Sequence, residues 1–168
     1  GYQLNEIAPT EEDSYFRHQR IQGYVHDMGA AMMNGISGHA GLFSNSQSLA
    51  VIMQCFLNLG YYGGREYFSS NQVRKFTGRD AEFSRRGLGF DLKELNTTDI
   101  PYVSSLSSDG TYGHQGFTGT CIWADPVNNI LFIFLSNRTY PDGKINLLHK
   151  YRYRTQIQDI IYKARMIL

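Results

Sequence analysis

The residue types best suited to chemistry in this sequence lie at residues 112–120, which read YGHQGFTGT. Three glycines and two threonines surround His114 there, within a segment that otherwise predicts a central strand. Glycine weakens a strand, so three of them need a reason, and close approach of the backbone to a ligand is one. Gly116 and Gly119 leave the strand edge unobstructed, and the N–H of Phe117 could then point at an oxyanion. The alternative is a glycine-rich bulge in which His114 is simply packed.

The histidines and cysteines do not have the spacing of a metal site. Five histidines are present: His18, His26, His39, His114 and His149. None of them forms the short-spaced pair typical of zinc ligands. Cys55 falls in an apolar helical pattern and Cys121 in a strand pattern, which predicts two buried free thiols in preference to a disulfide. We therefore expect neither a metal nor another cofactor.

A serine triad can be drawn from Ser37, His39 and Asp27, but nothing near them resembles a nucleophile elbow, so we reject it. His26 and Asp27 are better interpreted as a hydrogen-bonded buried pair that orders the start of a short helix. His39 is also a possible pocket residue, because GHAG precedes a helix N-terminus. Structural packing is the favoured alternative for His39.

Neighbouring carboxylates occur at Glu11, Glu12 and Asp13. Paired carboxylates are the catalytic groups of most glycoside hydrolases. These three lie in a polar segment without hydrophobic framing, which favours a solvated cluster. The glycines form neither a phosphate-binding Walker loop nor a dinucleotide fingerprint.

Composition predicts one globular domain over residues 1–168. The chain is 42% apolar and 18% charged, with a formal net charge of +1. This balance argues against nucleic acid or an anionic membrane as the main partner. No apolar run is long enough to span a membrane. The basic residues of the terminal segment are expected on a solvated face; they are Lys150, Arg152, Arg154, Lys163 and Arg165.

Hydrophobic periodicity and turn signals predict the order of elements. We expect an extended segment at 1–25, a short buried helix at 27–34, a helix capped by Ser44 and Gln47, a hairpin at 61–68, a helix at 69–76, a strand at 87–92, a loop at 93–109, a strand at 113–124, an apolar strand at 130–136 covered on both faces, and a terminal helix with one apolar stripe. The result is an α+β fold, in which an antiparallel sheet is flanked by helices and the terminal helix packs across it.

Residues 112–120, followed by a WADP turn and an apolar strand ending in LSNR, resemble the third active-site motif of the β-lactamase-like serine hydrolases. That motif is Lys-Thr-Gly in class C β-lactamases and His-x-Gly, followed by Phe-Thr-Gly, in an esterase and aminopeptidase-like branch. His114, Gln115 and Gly116 match the second form position by position. Further matches follow in family order at residues 7–11 (IAPTE), 23–27 (GYVHD), 35–44 (GISGHAGLFS) and 86–91 (RGLGFD).

The resemblance implies a partial serine β-lactamase or transpeptidase-like fold. It gives His114 the electropositive, hydrogen-bonding role of the lysine, and Phe117 N–H one of the two oxyanion donors. Gln115 replaces the usual Thr or Ser, which disfavours a β-lactam carboxylate and favours other substrates, such as peptidoglycan-derived D-amino-acid peptides or esters. The sequence is most similar to the module that follows a β-N-acetylglucosaminidase of the family-three glycoside hydrolase type in bacterial envelope proteins.

The family's nucleophile is a serine in a Ser-x-x-Lys motif, and no serine of this chain has a lysine three positions later. Tyr67-Phe68-Ser69 and Tyr102-Val103-Ser104 fit the letters of the second motif, Tyr-x-Asn or Tyr-x-Ser. Both follow IAPTE where the family motif should precede it, so we treat them as chance.

We therefore expect the catalytic serine, lysine and tyrosine upstream of Gly1, in a missing N-terminal part of the same domain. This chain alone should be inactive by the family mechanism, and it should dimerise, swap or be unstable. A periplasmic or envelope location follows from the resemblance. The alternative function is a non-catalytic accessory or binding module attached to a glycoside hydrolase.

Overall fold

The computed structural model describes residues 2–80, 84–95 and 101–167. A short 3-10 helix covers Leu4–Glu6. The strands within these ranges are β1 (Pro9–Asp13), β2 (Gln19–Gln22), β3 (Tyr61–Tyr62), β4 (Arg65–Glu66), β5 (Asp91–Leu92), β6 (Tyr112–Gln115), β7 (Cys121–Asp125) and β8 (Ile130–Phe134). The helices are α1 (Met28–Met32), α2 (Ser46–Leu57), α3 (Ser70–Thr77), α4 (Leu147–Lys150) and α5 (Tyr153–Ile167).

The main sheet has the order β5-β6-β7-β8, and every neighbouring pair is antiparallel. One face packs against α2, where buried Met53 contacts Leu92, Tyr112 and Ala124. The opposite face carries a second core cluster of Val103, Cys121, Trp123 and Phe132. Helix α5 reaches this second face through Tyr162, whose hydroxyl donates to Asp125. The predicted α+β fold is confirmed.

The segment predicted as one strand over residues 113–124 is instead a hairpin. Strands β6 and β7 pair with each other, and His114 lies opposite Ile122. The turn between them is closed by Gly116 N–H donating to the Thr120 carbonyl at 2.8 Å and by Gly119 N–H donating to the Gly116 carbonyl at 3.1 Å. Gly119 has a φ of +113°, a conformation that L side chains rarely adopt. The glycines therefore reverse the chain here, which the strand prediction missed.

The hairpin of β7 and β8 is confirmed, and Asp125 organises its turn. The prediction that β8 is covered on both faces was wrong, because Phe132 is the only buried residue of that strand. Leu135, just beyond β8, is also exposed. Helix α2 contacts this strand without burying all of it.

Several local predictions are confirmed. The β3–β4 hairpin turns at Gly63 and Gly64, both with positive φ. Helix α3 starts with the expected capping box of Ser69 and Gln72. Both cysteines are buried and free. Helix α2 is present, but its N-cap is Asn45, whose side chain accepts from Ser48 N–H at 2.9 Å. The predicted box starting at Ser44 was therefore one residue early.

The first 25 residues are more ordered than predicted. Strands β1 and β2 form an antiparallel hairpin, and Arg17 folds back between them to pair with Glu11 and Asp13. Both carboxylates are buried, so the expected solvated cluster was wrong except at Glu12. A buried carboxylate is stable only when it is paired, and Arg17 supplies that pairing.

Helix α1 is shorter and more exposed than predicted, with Ala30 as its only buried residue. The predicted strand at 87–92 is reduced to β5, and the rest of it forms a turn in which Gly87 N–H donates to the Phe90 carbonyl at 2.9 Å. Part of the predicted loop at 93–109 lies outside the described residues. The described residues of that loop, 93–95 and 101–109, contain no β-strand.

The terminal helix differs from its prediction in two ways. It is divided into α4 and α5 at Arg152, which has a φ of +56°. The buried residues of α5 are the largely polar set Arg154, Thr155, Gln158 and Tyr162. The predicted apolar stripe is instead exposed, with Ile160 at 66%.

Polar partners in the loop at 101–109 and in the β6–β7 turn explain this orientation of α5. Gln158 Oε1 accepts from Ser104 N–H at 3.1 Å, and Asp159 accepts from Ser104 Oγ. Arg154, expected on a solvated face, is buried and donates to the carbonyls of Gly119 and Thr120 at 3.4 and 3.3 Å. None of the helices in the described ranges is long and apolar enough to cross a membrane.

Candidate functional site

His114 lies at an open edge of the main sheet. Strand β5 pairs with β6 only at Gly113 and Tyr112. Beyond Gly113, therefore, no strand pairs with this edge of β6 among residues 2–80, 84–95 and 101–167. The side chain of His114 is exposed, whereas Tyr112, two residues earlier on the same face, is buried in the core. This edge can be reached from solvent.

A single hydrogen bond orients the His114 imidazole. Its Nδ1 lies 2.9 Å from the Gln115 carbonyl oxygen. A carbonyl oxygen only accepts, so Nδ1 carries a proton in this arrangement. The other ring nitrogen, Nε2, is then free to accept from a ligand when the ring is neutral, or to donate when it is charged.

The main-chain N–H of Phe117 has no hydrogen-bond acceptor in the described part of the chain. It follows Gly116, where an added Cβ would collide with the side-chain oxygen of Thr120. A larger residue at position 116 would therefore displace the turn that presents this amide. Phe117 itself is 68% exposed, so its side chain does not depend on core packing.

The side chains of Arg138 and His26 contact Phe117. The Arg138 guanidinium carbon lies 4.3 Å from the centre of the ring, and Arg138 Nε donates to the Phe117 carbonyl at 2.8 Å. The His26 ring centroid lies 5.2 Å from that of Phe117. Arg138 is the last residue of the LSNR segment that carries part of the family resemblance. Neither of these contacts was predicted from that segment.

Gln115 points to the other side of the sheet from His114. Its Nε2 donates to the Tyr102 carbonyl at 2.8 Å. One of its two amide protons is therefore occupied, and its side chain lies beside the start of α5. The structure places Gln115 next to the candidate site without bringing its side chain to the exposed face of β6.

The predicted His26–Asp27 pair is wrong. His26 Nε2 instead lies 3.4 Å from Glu11 Oε2, and the His26 carbonyl accepts from Arg17 at 2.9 Å. Asp27 bonds His39 and caps α1 through Ala30 N–H. Glu11 is already buried and charged beside Arg17, which makes it the better partner for His26.

His39 is held by hydrogen bonds and is not packed. Its side chain is 55% exposed, and its Nε2 lies 2.8 Å from Asp27 Oδ1. The structure connects it to the β6–β7 hairpin through Asp27 and its neighbour His26, which contacts Phe117. Four of the predicted site residues, from His114 to Phe117, are consecutive in that hairpin, while His39 lies on a separate loop.

The serines of the two segments that fit the letters of the second motif have structural roles. Ser69 caps α3, and Ser104 is buried with its hydroxyl donating to Asp159. In the described ranges, no group of three or more His, Cys, Asp or Glu side chains is arranged to hold a metal ion.

Comparison with known proteins decides the family. The Beta-lactamase family model matches residues 5–153. This chain belongs to the beta-lactamase family. The match covers both the main sheet and the β1–β2 hairpin, so the resemblance inferred from the motifs is confirmed, as is the partial serine β-lactamase-like fold. The assignment of roles to His114 and Phe117 remains a prediction.

Curated relatives share the same segment. A protein of Escherichia coli O157:H7 named "Putative D-alanyl-D-alanine carboxypeptidase" is 40% identical over 151 residues, which cover 83% of this chain and 35% of the relative. Proteins of the same name from E. coli K12 and Salmonella gallinarum are 39% and 42% identical over equal shares. The chain thus spans about a third of the length of these relatives.

Proposed function

We propose that these residues form the C-terminal portion of a serine hydrolase domain that cleaves D-alanyl-D-alanine peptides through an acyl-enzyme. The observation that carries the proposal is the Phe117 N–H, which has no acceptor in the described residues and lies beside the open edge of β6. An unpaired amide at a site reachable from solvent is suited to binding an oxyanion.

The nucleophile belongs, in this proposal, to a segment of the same domain outside these 168 residues. It is a serine activated by a lysine three residues later, since no serine of this chain has that neighbour. Its hydroxyl attacks the carbonyl of the scissile bond while the hydroxyl proton passes to the lysine, and the developing oxyanion accepts from Phe117 N–H. The C–N bond then breaks as the leaving amine takes that proton. Water then attacks the acyl-enzyme and releases the acid and the serine.

His114 acts on the leaving-group side of this reaction. With Nδ1 bound to the Gln115 carbonyl, its Nε2 can exchange one proton with the nucleophile's neighbours or with the substrate. The side of the site that binds the oxyanion is formed by Phe117, whose ring contacts Arg138 and His26. The Gln115 side chain fixes the end of β6 by donating to the Tyr102 carbonyl, beside the start of α5. It does not contact the substrate in this proposal.

The names of the relatives support a D-Ala-D-Ala peptide as substrate, and the family supports acyl transfer at a serine. Esters are a second class with the same reacting carbonyl. A cell-wall substrate would favour a location of the complete protein in the bacterial envelope. In the proposed complete protein, this domain follows a β-N-acetylglucosaminidase, as the sequence resemblance implies.

The test uses the complete protein and follows release of D-alanine from a peptide ending in D-Ala-D-Ala. His114→Ala should lower kcat/KM by about 10²-fold, the range of a lost acid–base group. His149→Ala is the matched control, because His149 is an exposed histidine on α4, outside the β6–β7 hairpin. A complete protein that neither releases D-alanine nor reacts with penicillin would instead support the accessory-module alternative.

A further inference from the structure

A continuous hydrogen-bonded chain of serine, histidine and aspartate joins the loop between α1 and α2 to the residue that caps α1. Ser37 Oγ lies 2.8 Å from His39 Nδ1, and His39 Nε2 lies 2.8 Å from Asp27 Oδ1. A triad of these three residues was rejected from the sequence, because residues 37–39 do not resemble a nucleophile elbow. The three side chains nevertheless meet at hydrogen-bond distance.

The direction of the protons follows from the partners. An ionised carboxylate only accepts, so His39 Nε2–H donates to Asp27. In the neutral imidazole, Nδ1 then holds a lone pair and accepts the proton of the Ser37 hydroxyl. This is the order of roles in a serine–histidine–aspartate triad, with the two ring nitrogens exchanged.

Asp27 is anchored independently of His39. Its side chain caps α1 by accepting from Ala30 N–H at 2.7 Å. This bond and that of His39 lower the pKa of Asp27, so the carboxylate stays charged at neutral pH. A charged and fixed Asp27 keeps the imidazole in the tautomer whose Nδ1 faces Ser37.

Ser37 is half-buried, and the loop offers a donor beside it. Ser37 N–H donates to the Ala40 carbonyl at 3.0 Å, which closes a tight turn. An added Cβ on Gly38 would meet nothing within 4 Å, so the space beside it is open. The N–H of Gly38 has no acceptor in the described ranges. The residue following the nucleophile supplies an oxyanion donor in α/β-hydrolases.

We propose that Ser37, with His39 as base and Asp27 as orienting group, is a second acyl-accepting site that reacts with small activated esters. In the reaction, Ser37 Oγ forms a bond to the acyl carbon while its proton passes to His39 Nδ1. The bond to the leaving alcohol then breaks, and the alcohol takes that proton. Water, deprotonated by the same nitrogen, hydrolyses the acyl-serine.

A fluorophosphonate probe tests this site on the 168-residue chain itself. The serine oxygen forms a P–O bond, the P–F bond breaks, and fluoride leaves with the proton. Labelling is followed by intact mass, and the modified residue is located by peptide mapping. Because the chain contains no Ser-x-x-Lys motif, the result does not depend on the function proposed above.

The variants separate catalysis from simple exposure. Ser37→Ala should abolish the label, and His39→Gln should slow it about 10²-fold, the contribution of a general base. Asp27→Asn keeps an oxygen for Ala30 N–H and should slow labelling while preserving α1. Ser46→Ala, at an exposed serine of α2, is the matched control and should leave labelling unchanged.

Circular dichroism verifies that each variant is folded. If the folded parent chain carries no label on Ser37, or if His39→Gln is labelled as fast as the parent, the proposal is overturned and the three residues serve only to fasten the loop. Labelling of Ser37 that depends on both His39 and Asp27 supports it.

Discussion

The guanidinium of Arg138 covers the exposed ring of Phe117 at 4.3 Å from its centroid, while Nε donates to the Phe117 carbonyl at 2.8 Å. The same residue donates from its main-chain N–H to the Thr118 carbonyl and from Nη1 to the Gly143 carbonyl, at 2.8 and 2.9 Å. Arg138 therefore fixes the turn of the β6–β7 hairpin to the segment after β8. The direction of the Phe117 amide depends on this turn.

Arg138 is thus predicted to be a positioning residue. Arg138→Ala in the complete protein should lower kcat/KM by roughly 10²-fold, because a small displacement of a donor costs that much. Arg138→Lys keeps the charge but loses the planar fork, so it should restore little of the activity. Steady-state kinetics on the D-Ala-D-Ala peptide measure both, with Arg165→Lys on α5 as control. A fully active lysine variant would contradict the positioning role.

Asp125 should contribute strongly to stability. Its buried carboxylate accepts six hydrogen bonds, which come from Ser108 N and Oγ, Val127 N, Asn128 N and Nδ2, and Tyr162 OH. Asp125→Ala leaves these donors unpaired and should cost about 3 kcal/mol or more in the free energy of unfolding. Urea denaturation measures the loss. Asp142→Ala, in an exposed turn, should change the free energy of unfolding by well under 1 kcal/mol.

The same carboxylate predicts how stability changes at low pH. Burial alone would raise the pKa of Asp125, but the hydrogen bonds from Asn128 and Ser108 outweigh it, and the pKa lies well below its usual value. A lowered pKa in the folded state gives stability that is present above the unfolded value of about 4 and is lost as the pH falls below it.

Thermal melts between neutral and acidic pH check this sign. The parent chain should lose stability on acidification, and Asp125→Asn should be less stable at neutral pH but decline less steeply. The decline should persist in part, because Asp13 also has a lowered pKa through its bonds to Arg17 and the following amides. Equal slopes for the parent and Asp125→Asn would exclude Asp125 as a source of the pH dependence.

The exposed apolar residues of α5 predict self-association of the isolated chain. Ile160 and Ile161 lie on the outer side of α5, and Ile167 at its end is 86% exposed. Adjacent exposed apolar side chains favour association with another surface. Ile160→Lys should shift the chain toward monomer in sedimentation velocity, whereas Lys163→Gln should not. A monomeric parent chain at high concentration would contradict this expectation.

Local sequence signals predicted the elements that depend on neighbouring residues. The capping box of Ser69 and Gln72, the Gly63–Gly64 turn and the period of α2 act within a few residues, and each element formed close to its expected bounds. The functional motif was also local, so His114 and Phe117 could be selected before any contact was known.

Long-range pairing explains what the sequence did not reveal. The buried face of α5 is set by Ser104 and Asp125, more than thirty positions away, which reversed the expectation from hydrophobic periodicity. Arg17 similarly turned an apparently solvated carboxylate cluster into a buried one. The Ser37–His39–Asp27 chain depends on a loop that returns to the start of α1, and the triad was rejected from the sequence because no local motif supported it.

Replacement of the Phe117 amide by an ester in the complete protein tests the central claim most directly. Incorporating the α-hydroxy analogue of phenylalanine at position 117 exchanges N–H for oxygen and leaves the side chain unchanged. Removing one oxyanion donor should lower kcat on the D-Ala-D-Ala peptide by about 10²- to 10³-fold. Phe117→Leu, which keeps the amide, should lose far less. An ester-containing protein that is folded and fully active would contradict the account.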